Sequence, residues 1–402
     1  MERSPAQVRR TVFAVIAAAT VQNLPFGTIY AFSVFLEPIE ALLGVSRAQM
    51  TLVFSVATVC LTVGMVVGPT LYRHISSVRL LWVGGAIGAA GLWLAAAAQG
   101  IAQLMLGYGV LFGLGGGLAF VIVQQGVNQT LARPSGLVNG YVVSLYPLGA
   151  MIGAPLFGWA IEAFGLRATL AALGVVVLAA GGITAGIFRA ARVRMQDPSH
   201  ASQPPSPSVS GAAADNRRWT VFARLFAVFF LAAAAGLTVM SQAAGIMTAY
   251  GARTGFALGA TTFITGAIAA ARIGGGALVD RFAIPQVACG AHLVAGAGSL
   301  LLLAWPSPWV AVPGLSMIGV GYGLMSGVTA GAIGRYWHRN LFGRMAGRLY
   351  IAWCVAAITL PVLAGWLFDR SHSYDGAMLI AAGVNALGAL LAVTLPRRAP
   401  PA

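Results

Sequence analysis

Lysine is absent from this chain: all 24 basic residues are arginine, and only nine side chains are carboxylates. Charged residues fill 8% of the 402 positions, against about a quarter in a soluble globular protein. Such a chain cannot cover its surface with water-compatible groups, so most of that surface must meet lipid. Cysteine is scarce as well. Cys60, Cys289 and Cys354 each sit alone inside an apolar run, without the CxxC or CxxH spacing of a metal site or the pairing of a disulfide framework. Each reads as a small buried residue. No GxxxxGK[ST] loop is present, so no nucleotide site and no cofactor are implied. The net charge of +15 would suit a nucleic-acid partner only if the arginines formed a stripe among polar residues. They are scattered singly or in pairs between apolar runs, which argues against nucleic acid.

What the chain has is apolar length: 58% of its residues are hydrophobic. Stretches of about 20 apolar residues can cross a bilayer core of ~30 Å as helices. Twelve are found, at 11–36, 49–72, 79–97, 102–130, 137–161, 168–188, 221–249, 257–279, 286–305, 310–333, 347–368 and 378–396. Helix is the required state, because an open strand in lipid would leave backbone groups unpaired. The opening MERSPAQVRRTVFAVIAAAT resembles a secretory signal, but its apolar run continues past Asn23 to Phe35 with no polar cleavage region, so it is expected to remain as the first span. Short connectors such as PSPW leave no room for extramembrane domains. Between spans 6 and 7, ARVRMQDPSHASQPPSPSVSGAAADNRR is rich in Pro, Ser and Ala and reads as a disordered linker. The expected organisation is therefore an all-α integral membrane protein: a six-helix bundle over 1–189, a cytoplasmic linker over 190–219 and a second six-helix bundle over 220–402.

Arginine placement gives an orientation. With both termini inside, nineteen arginines fall in inner segments and four (Arg47, Arg167, Arg253 and Arg370) in outer loops. That bias follows the positive-inside rule and predicts cytoplasmic termini, as in a multi-pass protein of a bacterial inner membrane. The arginine left over is Arg272.

The two halves echo each other. Gly113-Leu-Gly115-Gly-Gly117-Leu matches Gly319-Val-Gly321-Tyr-Gly323-Leu, Pro155 matches Pro361, Gly158-Trp159 matches Gly365-Trp366, and Gly68 to Arg73 matches Gly276 to Arg281. All four lie in order, 206 to 208 positions apart. A two-fold repeat of six spans predicts a substrate site near mid-membrane at the repeat interface. Twelve spans, a long loop between spans 6 and 7, and GALVDRF after span 8 resemble the major facilitator superfamily. The resemblance implies two pseudo-symmetric bundles, transport of a small molecule by alternating access, no enzymatic step, and a monomer working in the bilayer. It also implies a gating turn at Gly276, Asp280 and Arg281, with Arg73 in the first copy. That copy departs from the pattern: Tyr72 stands at the acidic position.

Arg272 lies within ITGAIAAARIGGGALVDRF, eight residues before Asp280. At 1.5 Å per residue that is about 12 Å from the helix end, near the midplane. An intramembrane arginine costs roughly 2.5–3.5 kcal/mol on insertion scales and usually lines a pathway; the alternatives are snorkelling along its own methylenes or a structural pair. The nine acids, Glu2, Glu37, Glu40, Glu162, Asp197, Asp215, Asp280, Asp369 and Asp375, all fall at span ends or in loops. An anionic substrate would supply the missing charge, and a guanidinium offers two parallel donors that match a carboxylate.

A narrower resemblance follows. QNLPFGTIYAFSVFLEPIEALLGVSRAQMTLVFS is similar to the opening of the oxalate/formate antiporter and monocarboxylate transporter families. Their span-8 arginine binds carboxylate with aromatic side chains around it, which implies substrate contacts at Arg272, Tyr30, Phe120, Tyr146, Tyr322 and Tyr350. Where the oxalate exchangers carry a span-11 lysine, this chain has Trp353. One cation neutralises one carboxylate, and a second left unpaired in a dry site is costly, so a monocarboxylate is expected. Asn23, Gln124, Gln125, Asn128 and Gln242 could orient a ligand or tie helices together. His292, seven residues into span 9, is a candidate proton carrier. Anion exchange and proton symport stay open. Two rivals remain: a multidrug exporter, since GAMIGAPLFG loosely resembles the span-5 signature of drug/proton antiporters, and a sensor that binds without transport.

Overall fold

The computed structural model describes residues 5–72, 74–193, 195 and 209–397. Twelve of its helices are long and apolar enough to cross a membrane: α1 Arg9–Ala31, α2 Gln49–Leu71, α3 Ser77–Ala96, α4 Ile101–Thr130, α5 Gly136–Phe164, α6 Leu166–Ala190, α7 Arg218–Ala249, α8 Gly259–Arg281, α9 Ile284–Ala304, α10 Pro308–Tyr336, α11 Arg339–Ser371 and α12 Asp375–Ala392. There is no strand among the described residues. All twelve expected spans are found, with ends shifted by a few residues. The eleventh starts earliest against expectation, at Arg339 instead of 347, and the first ends early, at Ala31 instead of 36. Helix α1 tightens to a 3₁₀ turn at Thr28–Ala31, and a separate short helix, Ser33–Leu43, follows it. That helix stops at Gly44, whose φ of 63° is the left-handed conformation that glycine adopts without a Cβ clash.

Local chemistry sets several other boundaries. Ser46 accepts the Gln49 N–H while the Gln49 side chain accepts the Ser46 N–H, a capping box that starts α2. Ser76 and Ser307 accept the backbone N–H groups of Arg79 and Val310 at the starts of α3 and α10. Proline acts in two ways. Pro361 has no N–H for the carbonyl four residues back, and the helical run of α11 stops at Ala357 and resumes at Leu360. Helix α5 instead runs unbroken through Pro147 and Pro155.

The chain divides into two compact units. One holds Met1–Pro134, Leu145–Ala201 and His338–Tyr350; the other holds Ser135–Ser144, Ser202–Trp337 and Ile351–Ala402. Each unit therefore contains one full set of spans except that the first turns of α5 and α11 are exchanged. The expected limits at 189 and 220 do not anticipate this exchange. The helix that becomes α7 begins at Val209, inside the expected linker; positions 194 and 196–208 of that linker lie outside the described residues.

The same packing scheme occurs in both units. In the first, α2 packs on α4, α3 on α4 and α6, and α1 on α4 and α6. In the second, α8 packs on α10, α9 on α10 and α12, and α7 on α10 and α12. Each of these pairs in the first unit has its counterpart six spans later in the second. The sequence repeat is thus a repeat of structure.

Candidate functional site

In the second unit, α8 carries Arg272 at a crossing where three backbones come close. Gly140 of α5 and Gly327 of α10 both face the backbone carbonyl of Arg272, and a methyl group on either would collide with that oxygen. Small residues at helix contacts allow this approach. The close fit fixes where the side chain starts.

The guanidinium turns inward: Arg272 is only 5% exposed. One terminal nitrogen donates to the backbone carbonyl of Val143 at 2.8 Å, and the other donates to the phenol oxygen of Tyr322 at 3.0 Å. Its carbon lies 5.2 Å from the centre of the Tyr322 ring, within cation–π range. Snorkelling to the interface is therefore not its conformation. The indole N–H of Trp353 also donates to the Tyr322 oxygen, at 3.0 Å. A phenol oxygen has two lone pairs and one proton. With both lone pairs taken by Arg272 and Trp353, Tyr322 keeps its proton to give. Arg272, Tyr322 and Trp353, expected as site residues, thus form one hydrogen-bonded cluster, and Tyr322 and Trp353 are buried with the arginine.

The other expected aromatics belong to the first unit and form their own chain. Tyr30 meets Tyr146 with ring centres 6.1 Å apart, Tyr146 meets Phe120 at 5.2 Å, and Phe120 meets Tyr350 at 5.5 Å, all edge-to-face. Such contacts add about 0.5–1.5 kcal/mol each beyond area burial. The Tyr146 hydroxyl donates to the backbone carbonyl of Gly116 at 3.2 Å, so its proton is committed.

The turn after α8 uses its acid. Asp280 accepts the backbone N–H groups of Gly136 and Leu137 at 2.7 and 2.9 Å, at the start of α5. An anion at a helix N-terminus meets unpaired N–H groups and the positive end of the dipole. Arg335 approaches the same carboxylate at 3.8 Å; Arg281 is exposed. Gly276 packs against the Gly136 backbone. Arg73, the first-copy counterpart of Arg281, lies outside the described residues. Tyr72, at the acidic position of that copy, donates instead to the carbonyl of Val121, and burial pushes its phenol well above the usual range. The start of α11 is held by an amide: Gln125 accepts the N–H of Gly343 and donates to the carbonyls of Arg339 and Asn340.

Helix ties account for several polar residues. Gln125 serves the α11 turn and Gln242 accepts from the Tyr374 hydroxyl, whereas Asn128 donates within its own helix to the backbone carbonyl of Gln124. The side-chain amides of Asn23 and Gln124 are different: with that of Gln22, which has no signal in the sequence, they are buried without a hydrogen-bond partner among the described residues. His292 lies in a junction of α7, α9 and α12, where its ring nitrogens face the Asn385 side-chain oxygen at 2.9 Å and the Val228 carbonyl at 3.2 Å. The Asn385 amide nitrogen donates to Ala381, which fixes that orientation. Both ring nitrogens meet acceptors, so satisfying both requires two ring protons.

Two hollows lie elsewhere. A groove of about 560 Å³ in the first unit is lined by residues such as Leu24, Pro25, Ile152, Leu156, Phe157 and Trp159, and no charged side chain lines it. A polar pocket of about 320 Å³ in the second unit is lined by Tyr250, His372 and Asp375, among others. Burial, with Asp375 nearby, pushes the Tyr250 phenol up to about 12.

Compared with known proteins, the chain matches the model of the Major Facilitator Superfamily over residues 13–358 and 225–402. It is 24% identical over 416 residues to monocarboxylate transporter 11 of Mus musculus, covering 96% of this chain and 88% of that one. It is 26% identical over 172 residues to monocarboxylate transporter 13 of Bos taurus, covering 42% of this chain and 40% of that one. It is 22% identical over 175 residues to the MFS-type transporter YhjX of Escherichia coli, covering 44% of each. The match thus spans less than half the length of these last two relatives. Among solved structures, the proton:xylose symporter XylE superposes with a TM-score of 0.73 at 15% identity, over 98% of both chains. The transporter FucP gives 0.70 at 17% identity, over 96% of this chain and 99% of that one. At such identities these two likenesses show the fold.

Proposed function

Because the chain belongs to the major facilitator superfamily, whose members are membrane transporters and not enzymes, we propose that it is a secondary active carrier of small monocarboxylates. The observation that carries this reading is the buried cluster of Arg272, Tyr322 and Trp353. A guanidinium and a phenol with its proton to give are two convergent donors, one of them charged, and that set suits a carboxylate. Trp353 in this cluster supplies an N–H and an apolar ring but no second charge, which favours one carboxylate over two. The names of the distant relatives point to the same substrate class.

Tyr30, Phe120, Tyr146 and Tyr350 are candidate substrate contacts, and Asn23 and Gln124 candidate ligand-orienting amides. Transport is proposed to follow alternating access, driven by proton symport or anion exchange, in a monomer of a bacterial inner membrane with both termini cytoplasmic. His292 is the candidate proton carrier, on the ground that its two nitrogens face acceptors. Asp280 and its neighbours are the proposed gating turn. A multidrug exporter of the same fold is the second reading; it needs an anionic site for cations, and the cluster is cationic.

Uptake into vesicles tests the choice. Labelled lactate, pyruvate, formate and oxalate are compared with a cationic dye, for the wild type and for Arg272→Gln and Arg272→Lys. Monocarboxylate uptake should fall roughly ten- to a hundredfold in Arg272→Gln, the worth of one charge-assisted contact. Dye movement without carboxylate movement would favour the exporter, and unchanged carboxylate uptake in both variants would remove Arg272 from the mechanism.

A further inference from the structure

Arg272 has an acceptor that the amino-acid sequence of α5 creates. In an α-helix the carbonyl of residue 143 accepts from the N–H of residue 147. Residue 147 is proline, which has no N–H. The carbonyl of Val143 is therefore left by its own helix without that donor, although α5 continues through the position. This is the oxygen to which Arg272 donates at 2.8 Å. A buried carbonyl deprived of its helix partner is destabilising unless another donor reaches it, and a buried guanidinium needs acceptors just as much. Each group supplies what the other lacks.

We propose that Pro147 is a positioning residue for Arg272: by withholding an N–H it reserves the Val143 carbonyl as a fixed anchor that aims the guanidinium at its substrate. The proposal rests on the reading of Arg272 as the carboxylate-binding group. Two points now hold the guanidinium, the Val143 oxygen on one terminal nitrogen and the Tyr322 oxygen on the other. Two anchored nitrogens fix the plane and heading of a planar group, and such pre-organisation lowers the ordering cost of binding. The backbone around the anchor is equally constrained, since Gly140 of the same α5 turn packs against the Arg272 carbonyl. Pro155, farther along α5, withholds its N–H from residue 151 instead, so it serves as an internal control for a helix proline that does not supply this anchor.

The test is concentration-dependent uptake of labelled pyruvate by reconstituted protein. In Pro147→Ala the restored N–H competes for the Val143 carbonyl, so KM should rise about tenfold, the worth of one ordinary hydrogen bond, while the maximal rate changes little. Pro155→Ala should leave KM unchanged. Should Pro147→Ala fail to fold, an amide-to-ester replacement at the Val143–Ser144 bond weakens the carbonyl as an acceptor while keeping the proline, and should raise KM several-fold. The same replacement at Ser144–Leu145 should not. An unchanged KM in Pro147→Ala, or in the ester variant, overturns the proposal. So does an equal effect from the control in either pair. If Arg272→Gln and Arg272→Lys transport normally, the reading of Arg272 fails first. If they are impaired while Pro147→Ala and the ester variant behave as wild type, only the role of Pro147 falls.

Discussion

At the scale of single residues, the cluster is decided by how many hydrogen bonds each atom can make. The Tyr322 oxygen is shared by two donors, so Tyr322→Phe strips an acceptor from Arg272 and from Trp353 at once, and removes the proton offered to substrate. Each buried donor left unsatisfied costs about 1–3 kcal/mol; KM for a monocarboxylate should rise at least tenfold, read by vesicle uptake, and an unchanged KM would take Tyr322 out of the site. Arg272 was legible in the sequence because a charge inside an apolar run has few harmless explanations. Tyr322 and Trp353 were legible only through a family resemblance, since an aromatic in a membrane helix is usually packing. The Val143 anchor was hidden, because a backbone carbonyl has no letter of its own. Half of it was nonetheless written as Pro147, whose effect four residues back follows from elementary helix geometry. Gln22 was missed because an uncharged amide beside Asn23 sends no signal until its burial is known.

At the scale of helices, close approach sets the geometry and capping sets the ends. Gly140→Ala and Gly327→Ala each place a methyl against the Arg272 carbonyl, and overpacking of this kind typically costs about 1–3 kcal/mol. Both variants should show a lowered melting temperature in detergent and weakened uptake; Gly186→Ala, where an added Cβ meets open space, should show neither. Asp280→Ala removes the acceptor of two N–H groups at the start of α5 and should cost about 0.5–2 kcal/mol, as other lost caps do. Asp280→Asn, which keeps one acceptor oxygen, should lose less. The existence of the twelve helices was plain from apolar length alone. Their breaks were not: Pro361 interrupts α11 while Pro147 and Pro155 leave α5 continuous, although the residue type is the same at all three positions.

At the scale of the whole molecule, the repeat read from four short matches reappears as a shared set of helix pairings in the two units. It recurs down to single contacts. Gly140 faces the Arg272 carbonyl and, 207 positions further along, Gly347 faces the Met65 carbonyl, the residue that stands the same 207 positions before Arg272. Only one copy carries a charge there, so the symmetric frame holds an asymmetric site. The exchange of residues 135–144 and 338–350 between units was beyond the sequence, because it depends on which neighbours those turns choose. Selectivity belongs to this scale too. If a single cation limits the carrier to one carboxylate, Trp353→Lys should raise oxalate uptake relative to pyruvate, and a ratio no different from wild type would contradict that account. The most direct test of the central claim is calorimetric titration of the purified protein with pyruvate. Wild type should give saturable heat that Arg272→Gln lacks although it still folds; equal affinity in both proteins would mean that the substrate's charge is bound somewhere else.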